Sequence, residues 1–244
     1  MSTFLSIVIP AFNEEARIGA TLDKVVEYLS DQPYSWDVTV VDDGSSDATA
    51  ELVDERAKEL DGVRLERIPH AGKGWAVKHG MLSTSGEYRF MCDADLAMPI
   101  HLLTSFLERM NEGFDVVLGS RQVLGARRYD EPFTRHAMGR VFNGFVRLAA
   151  VGGYADTQCG FKCFRGQAAD RLFGLQRTKG LGFDVEVLYL ARKQDLRVLE
   201  IPIDWYHIRD SKVRVGVDSF SMVRDTLRVR LRDLRGGYDL KAKI

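Results

Sequence analysis

Met91-Cys92-Asp93-Ala94-Asp95-Leu96-Ala97-Met98-Pro99 is the stretch around which the chain is organised. An apolar run over 88–92 leads directly into two aspartates that are one residue apart. Open α/β sheets bind their ligands at the carboxyl edge of the strands, where these two carboxylates are expected to lie. Carboxylate oxygens suit Mg²⁺ or Mn²⁺, ions that are usually shared with substrate phosphates. The stretch indicates a metal-held nucleotide, although aspartates that follow strands also cap turns.

Strands and helices alternate along the chain on both sides of this stretch. Short apolar runs are typical of strands buried on both faces, and apolar residues at helical spacing separate them. This alternation predicts an α/β fold with a doubly wound, mainly parallel sheet. The predicted strands are 5–10, 38–43, 63–68, 88–92 and 115–121, and the predicted helices are 13–29, 49–60, 73–81 and 102–110, with a polar loop over 122–134.

The composition is that of an ordinary globular protein. The 244 residues are 45% hydrophobic, enough for one sizeable core, and the net charge of -1 argues against a dedicated nucleic-acid binder. Three cysteines without a repeated CxxC pattern indicate neither a disulfide framework nor a zinc site, so a reducing cytoplasm is expected. No secretion signal and no membrane-spanning segment are predicted.

Two basic amphipathic helices are predicted in the second half, over 135–151 and 219–234. The second has apolar residues at Phe220, Val223, Leu227, Leu231 and Leu234 among five arginines, and the region 206–244 carries ten Lys or Arg against five Asp. Such helices are candidates for lying on an anionic membrane surface. The alternative is a helix packed on its own core with a solvated basic face.

Four polar turns follow predicted strands and would converge on one site if the sheet is parallel. The motifs IPAFNEE, VVDDGSSDAT, DAD and GSR, in this order, resemble family 2 glycosyltransferases with the GT-A fold. DTQCGFK (156–162) and FDVEVL (183–188) look most like dolichyl-phosphate β-glucosyltransferases, with dolichyl-phosphate mannose synthases as near neighbours. The resemblance implies a Rossmann-like catalytic domain over 1–215 and a basic amphipathic extension over 216–244.

The resemblance also implies which residues bind the sugar nucleotide. Asp95 would be the direct metal ligand, and Asp93 would touch the ribose or a metal-bound water. Lys73 would approach the donor phosphates, or else be an exposed turn lysine. The turn-capping alternative to donor binding by Asp42 fits Asp43 or Asp47 better. The implied residues are Pro10, Phe12, Glu14, Asp42, Lys73 and Asp93 for the donor, and Asp93 and Asp95 for Mg²⁺ or Mn²⁺.

A second implied set would meet the acceptor. Arg121 would clamp a phosphate, because a guanidinium offers two parallel donors, and Lys162 would meet the acceptor phosphate unless it forms a structural salt bridge with Asp156. The implied residues are Arg121 and Lys162 as catalytic groups, and Arg135, Asp156 and Gln158 for acceptor binding. Trp205 and His207 lie where the family closes a loop over the donor, and Lys212 is expected to contact a phosphate. Trp205 and His207 are equally compatible with the core.

The resemblance implies inverting transfer of glucose from UDP-glucose to a polyprenyl or dolichyl phosphate. Ala97 stands where the mannose synthases usually carry glutamine, which weakens the case for GDP-mannose as the donor. A transferase with a soluble or polysaccharide acceptor and a non-catalytic sugar-nucleotide-binding protein are two rival hypotheses. We expect a cytoplasmic enzyme, associated peripherally with the cytoplasmic face of a membrane and with no nucleic-acid partner.

Overall fold

Seven strands form one central sheet in the order β3-β2-β1-β4-β7-β5-β8. This is a computed structural model, and it describes residues 3–130, 144, 152–208 and 217–238. The sheet strands are β1 Leu5–Ala11, β2 Trp36–Asp42, β3 Val63–Arg67, β4 Tyr88–Met91, β5 Val116–Ser120, β7 Lys162–Arg165 and β8 Val198–Pro202. Short strands β6 Arg127–Tyr129 and β9 Asp204–Tyr206 pair with each other.

The first half of the sheet is parallel, as the apolar runs predict. β1 pairs in parallel with β2 and with β4, and all seven residues of β1 are buried. Continuous burial of this kind requires cover on both faces of the sheet, which the alternating helices provide. The mixed α/β architecture with a mainly parallel sheet is therefore confirmed.

Helices α1 Ile18–Ser30, α2 Thr49–Glu59, α3 Lys73–Ser83 and α4 Leu103–Asn111 connect these strands, and α5 Gly166–Leu175, α6 Phe183–Lys193 and α7 Val217–Leu234 follow. The start predicted for the first helix, at Asn13, is wrong. Asn13 has φ +54°, which is left-handed backbone and incompatible with a continuing right-handed helix. The chain therefore turns through 13–17 before α1 begins, and the motif residues stay outside the helix.

Strand β7 is the main departure from a doubly wound parallel sheet. It lies between β4 and β5 and runs antiparallel to both. Since β5 is therefore parallel to β4, the carboxyl ends of β1, β2, β4 and β5 share one edge of the sheet. Lys162 begins β7 at this same edge, opposite Met91 and Leu118.

The sequence also makes predictions about the loop after β5, the three cysteines and the helix over 135–151. The loop predicted over 122–134 contains β6, which is too short for its alternation to be recognised. Cys92, Cys159 and Cys163 are free and buried, consistent with packing residues. The helix predicted over 135–151 lies outside the described residues, except at position 144.

Helix α7 confirms the second predicted amphipathic segment, and its orientation departs from the alternative in which the apolar stripe packs on the core. Its buried residues are Met222, Thr226 and Val229, whereas Phe220 and Leu227 are exposed. The apolar stripe read from the sequence therefore lies mainly on the outside. In the part of the chain that the structure describes, no helix combines the length and the apolarity needed to cross a bilayer.

Candidate active site

Asp93 and Asp95 follow β4 at the carboxyl edge of the sheet, and both are only partly buried. Oδ1 of Asp95 accepts a hydrogen bond from the Ala97 N–H at 3.1 Å, and Leu96 between them has φ +43°. Left-handed backbone at a leucine is strained, and such strain is concentrated at functional sites. Burial and the adjacent Asp93 carboxylate raise the pKa of Asp95. Two carboxylates held this close favour a bound cation.

Lys73 supplies one positive charge to this pair. Its Nζ lies 2.7 Å from Oδ1 of Asp93. Burial alone would lower the pKa of Lys73, but the carboxylates of Asp93 and Asp184 raise it above its usual value. We call Asp93, Asp95 and Lys73 the acidic cluster, because two carboxylates share one ammonium.

Glycines on both sides of Lys73 fix its backbone. Gly72 has φ +112°, and a Cβ there would lie 2.8 Å from the Lys179 carbonyl oxygen. A Cβ at Gly74 would lie 2.6 Å from Cβ of Phe183. The GKG sequence is therefore required by close backbone packing against 178–183, and this packing directs Lys73 towards Asp93.

Gly160 brings the acceptor-motif loop against the acidic cluster. A Cβ at Gly160 would lie 2.0 Å from Oδ2 of Asp93, so only glycine allows this approach. The loop over 156–161 and the DAD turn therefore form one continuous surface, although they are far apart in sequence.

The turn after β2 is held by its own acidic side chains. Both oxygens of Asp42 lie within hydrogen-bonding distance of the Ser45 N–H, at 3.2 and 3.3 Å. Asp43 accepts hydrogen bonds from the N–H groups of Ala71 and Gly72, at 2.8 and 2.9 Å. Asp42 therefore caps the turn, a role that the sequence pattern assigns more readily to Asp43 or Asp47. Asp47 also accepts a hydrogen bond from the Thr49 N–H at 3.0 Å, whereas Asp43 joins this turn to the Lys73 loop.

The predicted base and ribose residues differ in their exposure. Pro10 is buried within β1, so its ring is not presented to a ligand. Phe12 is 37% exposed and stacks on His70, with ring centroids 4.3 Å apart. Glu14 pairs with Arg17 at 2.8 Å. Phe12 alone of these three offers an aromatic face at the edge of the sheet.

Arg121, whose side chain is 21% exposed, forms a bidentate ion pair with the buried Asp156. Nε of Arg121 lies 2.6 Å from Oδ2 and Nη2 lies 2.8 Å from Oδ1 of Asp156, which is fully buried. Burial alone would raise the pKa of Asp156, but Arg121 outweighs this effect and lowers it to about 2. Glu200 accepts hydrogen bonds from the N–H groups of Ala155 and Asp156 and holds this loop in place.

The remaining face of Arg121 lies against Trp205, with Cζ 5.5 Å from the ring centroid. Trp205 is buried and belongs to the core cluster, so its assignment as a core aromatic is the one that the structure favours. Arg121 is thus held in place by a carboxylate and by an aromatic ring.

Lys162 pairs with a carboxylate that the sequence motifs did not single out. Its Nζ lies 2.6 Å from Oδ1 of Asp184 and also donates to the Cys159 carbonyl, while the side chain is 1% exposed. Burial raises the pKa of Asp184, and the opposing effects of Lys162 and Lys73 limit the rise. This burial argues against the predicted contact between Lys162 and an acceptor phosphate. The salt bridge expected between Lys162 and Asp156 is also replaced, because Asp156 pairs with Arg121.

Asp184 and Glu186 are the residues that sequence reasoning missed. Glu186 is fully buried, accepts hydrogen bonds from the N–H groups of Arg177 and Thr178, and pairs with Arg232. The signal was present in FDVEVL, where two acids interrupt an apolar helical run, because buried carboxylates require partners. Arg121–Asp156 and Lys162–Asp184 are called the two buried ion pairs below.

Two further predicted residues lie around the edge of the site or in the core, and two lie outside the described residues. Gln158 lies at the edge, where its Nε2 donates to Sδ of Met222 on α7 at 3.6 Å. The His207 ring lies 5.9 Å from Trp205, and its backbone N–H donates to the Tyr129 carbonyl. Arg135 and Lys212 lie outside the described residues.

The acidic cluster fits a divalent cation that is shared with a ligand. Within the described ranges, no group of three or more His, Cys, Asp or Glu side chains could hold a metal ion by itself. Asp93 and Asp95 offer hard oxygen ligands, and Mg²⁺ and Mn²⁺ commonly complete their coordination with substrate phosphates and water. The two carboxylates therefore suit a metal ion that binds together with a nucleoside diphosphate.

The sequence comparisons agree with this chemistry. Residues 6–179 match the model of glycosyl transferase family 2. The dolichyl-phosphate beta-glucosyltransferase of Dictyostelium discoideum is 34% identical, with 98% of this chain and 77% of the relative aligned. The human protein of the same name is 33% identical, with 97% and 78% aligned.

Solved structures share the fold at lower identity. Glucosyl-3-phosphoglycerate synthase of Mycobacterium tuberculosis with phosphoglyceric acid has a TM-score of 0.69 at 20% identity, covering 93% of this chain and 80% of that one. The same enzyme with Mn²⁺, UDP-glucose and phosphoglyceric acid has a TM-score of 0.65 at 21% identity, with 94% and 79% covered.

Proposed function

Since the chain belongs to glycosyl transferase family 2, we propose that it transfers glucose from UDP-glucose to the phosphate of a polyprenol such as dolichol, at a membrane surface. The observation that carries the proposal is the alignment of 98% of the chain with a dolichyl-phosphate beta-glucosyltransferase. That alignment covers more of the chain than the family match at 6–179, which contains DTQCGFK but ends before FDVEVL at 183–188.

The proposed acceptor is reactive without help from a protein base. The second pKa of a phosphate monoester is about 6, so a polyprenyl phosphate is largely a dianion at neutral pH. One of its oxygens attacks the anomeric carbon of glucose in line, and the bond from that carbon to the β-phosphate oxygen of UDP breaks. Glucose is transferred with inversion, UDP leaves, and no proton has to be removed from the nucleophile.

The acidic cluster is proposed to hold the donor diphosphate. Asp95, with Asp93 beside it, would hold a Mg²⁺ or Mn²⁺ ion, which when bound supplies positive charge to the departing UDP. Lys73, 2.7 Å from Asp93, lies where its ammonium can also reach a donor phosphate. The exposed face of Phe12 is proposed to pack against the uracil base. Pro10, Glu14 and Asp42 would then shape this pocket through the backbone and the turns that they hold.

The two buried ion pairs are proposed to position the acceptor side. Arg121 and Lys162 are both occupied by carboxylates, so they hold the loop over 156–161 against the acidic cluster. The Arg121 contact to the acceptor phosphate stays a prediction, as do the acceptor contacts of Gln158 and Arg135. The division into a catalytic domain, 1–215, and an extension, 216–244, is likewise part of the proposal.

The proposal is tested by transfer of radiolabelled sugar into an organic-extractable lipid. The purified protein is incubated with a polyprenyl phosphate, Mg²⁺ or Mn²⁺, and labelled UDP-glucose or GDP-mannose in parallel reactions. Label is expected in the lipid from UDP-glucose only, and removal of the metal with a chelator should abolish it. Asp95→Asn serves as the inactive control.

Two results would contradict the proposal. Transfer from GDP-mannose alone would make the protein a mannosyltransferase and show that Ala97 is a poor guide to the sugar. Tight UDP-glucose binding without lipid labelling would point to a soluble acceptor or to a non-catalytic sugar-nucleotide-binding protein.

A further inference from the structure

Helix α7 presents an apolar and basic stripe to solvent instead of to the core. Phe220 is 73% exposed, Leu227 54%, Leu231 45% and Leu234 85%. Single exposed leucines are ordinary, but four large apolar side chains aligned on one helix face form a patch. The stripe follows helical spacing through Phe220, Arg224, Leu227, Arg228, Leu231, Leu234 and Arg235, all of them exposed.

The opposite face of α7 explains why the stripe cannot turn inward. Met222, Thr226 and Val229 are buried, and Glu186 on α6 pairs with Arg232. Rotation of the helix to bury the stripe would place Arg228 and Arg235 in the core and would break these contacts. The orientation is therefore set by the inner face, and the outer apolar face is left without a partner among the described residues.

The inner face of α7 also contacts the candidate active site. Gln158, in the acceptor motif, donates to Sδ of Met222. A Cβ at Gly182, beside Asp184, would lie 2.7 Å from Cβ of Asp225 on α7. The start of α6 is therefore also packed closely against α7. Because a helix with its side chains is about 10 Å across, the outer stripe lies roughly one helix diameter from Gln158.

The positive charge of the stripe indicates the kind of surface that it fits. Arg224 and Arg228 are about half exposed, and their contacts to Asp225, at 3.9 and 3.5 Å, leave the outer stripe basic overall. Leucine and phenylalanine interleaved with arginine match the interface of an anionic bilayer, where apolar groups enter the acyl boundary and guanidinium groups meet lipid phosphates. A protein partner would not in general require apolar residues to alternate with arginine in this way.

We propose that the outer stripe of α7 docks flat on an anionic lipid bilayer and thereby holds the acceptor motif, through Met222 and Gln158, beside the membrane surface. This inference rests on the proposed lipid-phosphate acceptor for its purpose. The docking itself is a separate physical claim about Phe220, Leu227, Leu231 and Leu234.

The docking is tested by sedimentation with vesicles of phosphatidylcholine containing about 30% phosphatidylserine, at low and at physiological salt. The variant Leu227→Asn/Leu231→Asn should bind at least tenfold more weakly than the wild type. Arg228→Gln/Arg235→Gln should lose about tenfold on anionic vesicles and little on pure phosphatidylcholine. Leu82→Asn is the matched control, because Leu82 is 42% exposed on α3, and it should bind like the wild type.

A second measurement separates docking from catalysis. The leucine variant should keep wild-type transfer to a short, water-soluble prenyl phosphate but lose transfer to a long-chain prenyl phosphate in vesicles. Gel filtration and circular dichroism establish that all variants fold and show their oligomeric state.

Each possible outcome has a distinct meaning. If the wild type transfers glucose but does not bind vesicles, or if the leucine variant binds equally well, the docking surface is refuted and the proposed function stands. If the wild type binds vesicles but labels no prenyl phosphate, the proposed function fails and the docking surface stands. A wild-type dimer that the leucine substitutions convert to monomers, without vesicle binding, would make this face a protein interface and refute the proposal.

Discussion

The acidic cluster and the two buried ion pairs use the same residue types to opposite effect. In the cluster, Asp93 and Lys73 are 27% and 31% exposed, and two carboxylates share one ammonium. In the pairs, Asp156 and Lys162 are 0% and 1% exposed, their partners Arg121 and Asp184 are 21% and 9% exposed, and each carboxylate has its own cation. The cluster therefore carries uncompensated negative charge at an accessible position, whereas the pairs are electrically complete.

This difference separates binding groups from supporting groups. An ion pair taken out of water is costly to disrupt, because removal of one partner leaves a buried charge. An excess carboxylate near solvent is instead relieved by an arriving cation. Changes at the cluster should therefore affect chemistry first, and changes at the pairs should affect folding first.

The largest expected effect is that of Asp95→Asn in the cluster. Transfer should fall by about a thousandfold or more, roughly 4 kcal/mol of transition-state stabilisation, because the metal loses its main ligand. The melting temperature should stay the same or rise slightly, since burial and Asp93 already raise the pKa of Asp95 and disfavour its charged form. Steady-state rates and thermal melts measure both. Asp54→Asn is the control, because the Asp54 side chain is 48% exposed on α2. Retained metal-dependent activity in Asp95→Asn would refute the ligand role.

Next in size is Arg121→Met, which leaves Asp156 buried without its cation. The free energy of unfolding should fall by about 3 kcal/mol or more. Addition of Asp156→Asn should recover part of the loss, because the unpaired charge is removed. Arg56→Met, which breaks exposed contacts to Asp23 and Glu59, should cost less than about 1 kcal/mol.

Urea unfolding of these variants decides between two roles for Arg121. A stable Arg121→Met protein with lost transfer would contradict the supporting role and favour direct contact with the acceptor phosphate. An unstable protein whose remaining folded fraction is active would support the ion pair as a structural element.

A smaller effect is expected in the pH dependence of stability. The folded pKa of Asp156 is lowered to about 2, so its ionised form stabilises the protein above pH 4, and this stabilisation is lost as the pH falls towards 2. Between pH 5 and pH 2 the wild type should lose about 2 kcal/mol more than Arg121→Met/Asp156→Asn, which has no carboxylate to protonate here. Parallel pH profiles for the two proteins would contradict the pairing.

The smallest expected effect is that of Gly160→Ala, which is compared with Gly174→Ala. Gly160→Ala places a methyl group 2.0 Å from Oδ2 of Asp93, so the carboxylate must turn away. Transfer should fall by about tenfold, roughly 1.4 kcal/mol. Gly174→Ala is the control, because nothing lies within 4 Å of its new Cβ. Equal activity of the two variants would show that the 156–161 loop does not position Asp93.

The sequence predicted the elements around the acidic cluster well because their signals are local. The apolar runs that form β1, β2 and β4 are each followed directly by one of the motifs. Parallel pairing of these strands brings the motifs to one edge of the sheet. The antiparallel direction of β7 could not be predicted, because a short run buried on both faces has the same composition in either direction.

The partners of charged residues were beyond prediction for a different reason. Arg121 meets Asp156 and Lys162 meets Asp184 across 35 and 22 positions. Each ion pair is determined by how separate elements pack together, whereas the order of residues in the motif suggested an ion pair between Asp156 and Lys162. The outward face of α7 is similar, since periodicity reveals a stripe but not which side of the helix the core accepts.

The position of β7 also has a consequence for the order in which the chain can fold. β4 and β5 are consecutive along the chain, yet β4 lacks one neighbour until β7 is inserted between them, and β5 lacks both until β7 and β8 have followed. During synthesis roughly seventy residues must follow β4 before β7 closes this gap. One edge of β4 and both edges of β5 keep free N–H and C=O groups meanwhile. The nascent chain is therefore most prone to aggregation before Lys162–Arg165 has emerged, and fragments that end near residue 155 should be insoluble although they contain the whole DAD motif.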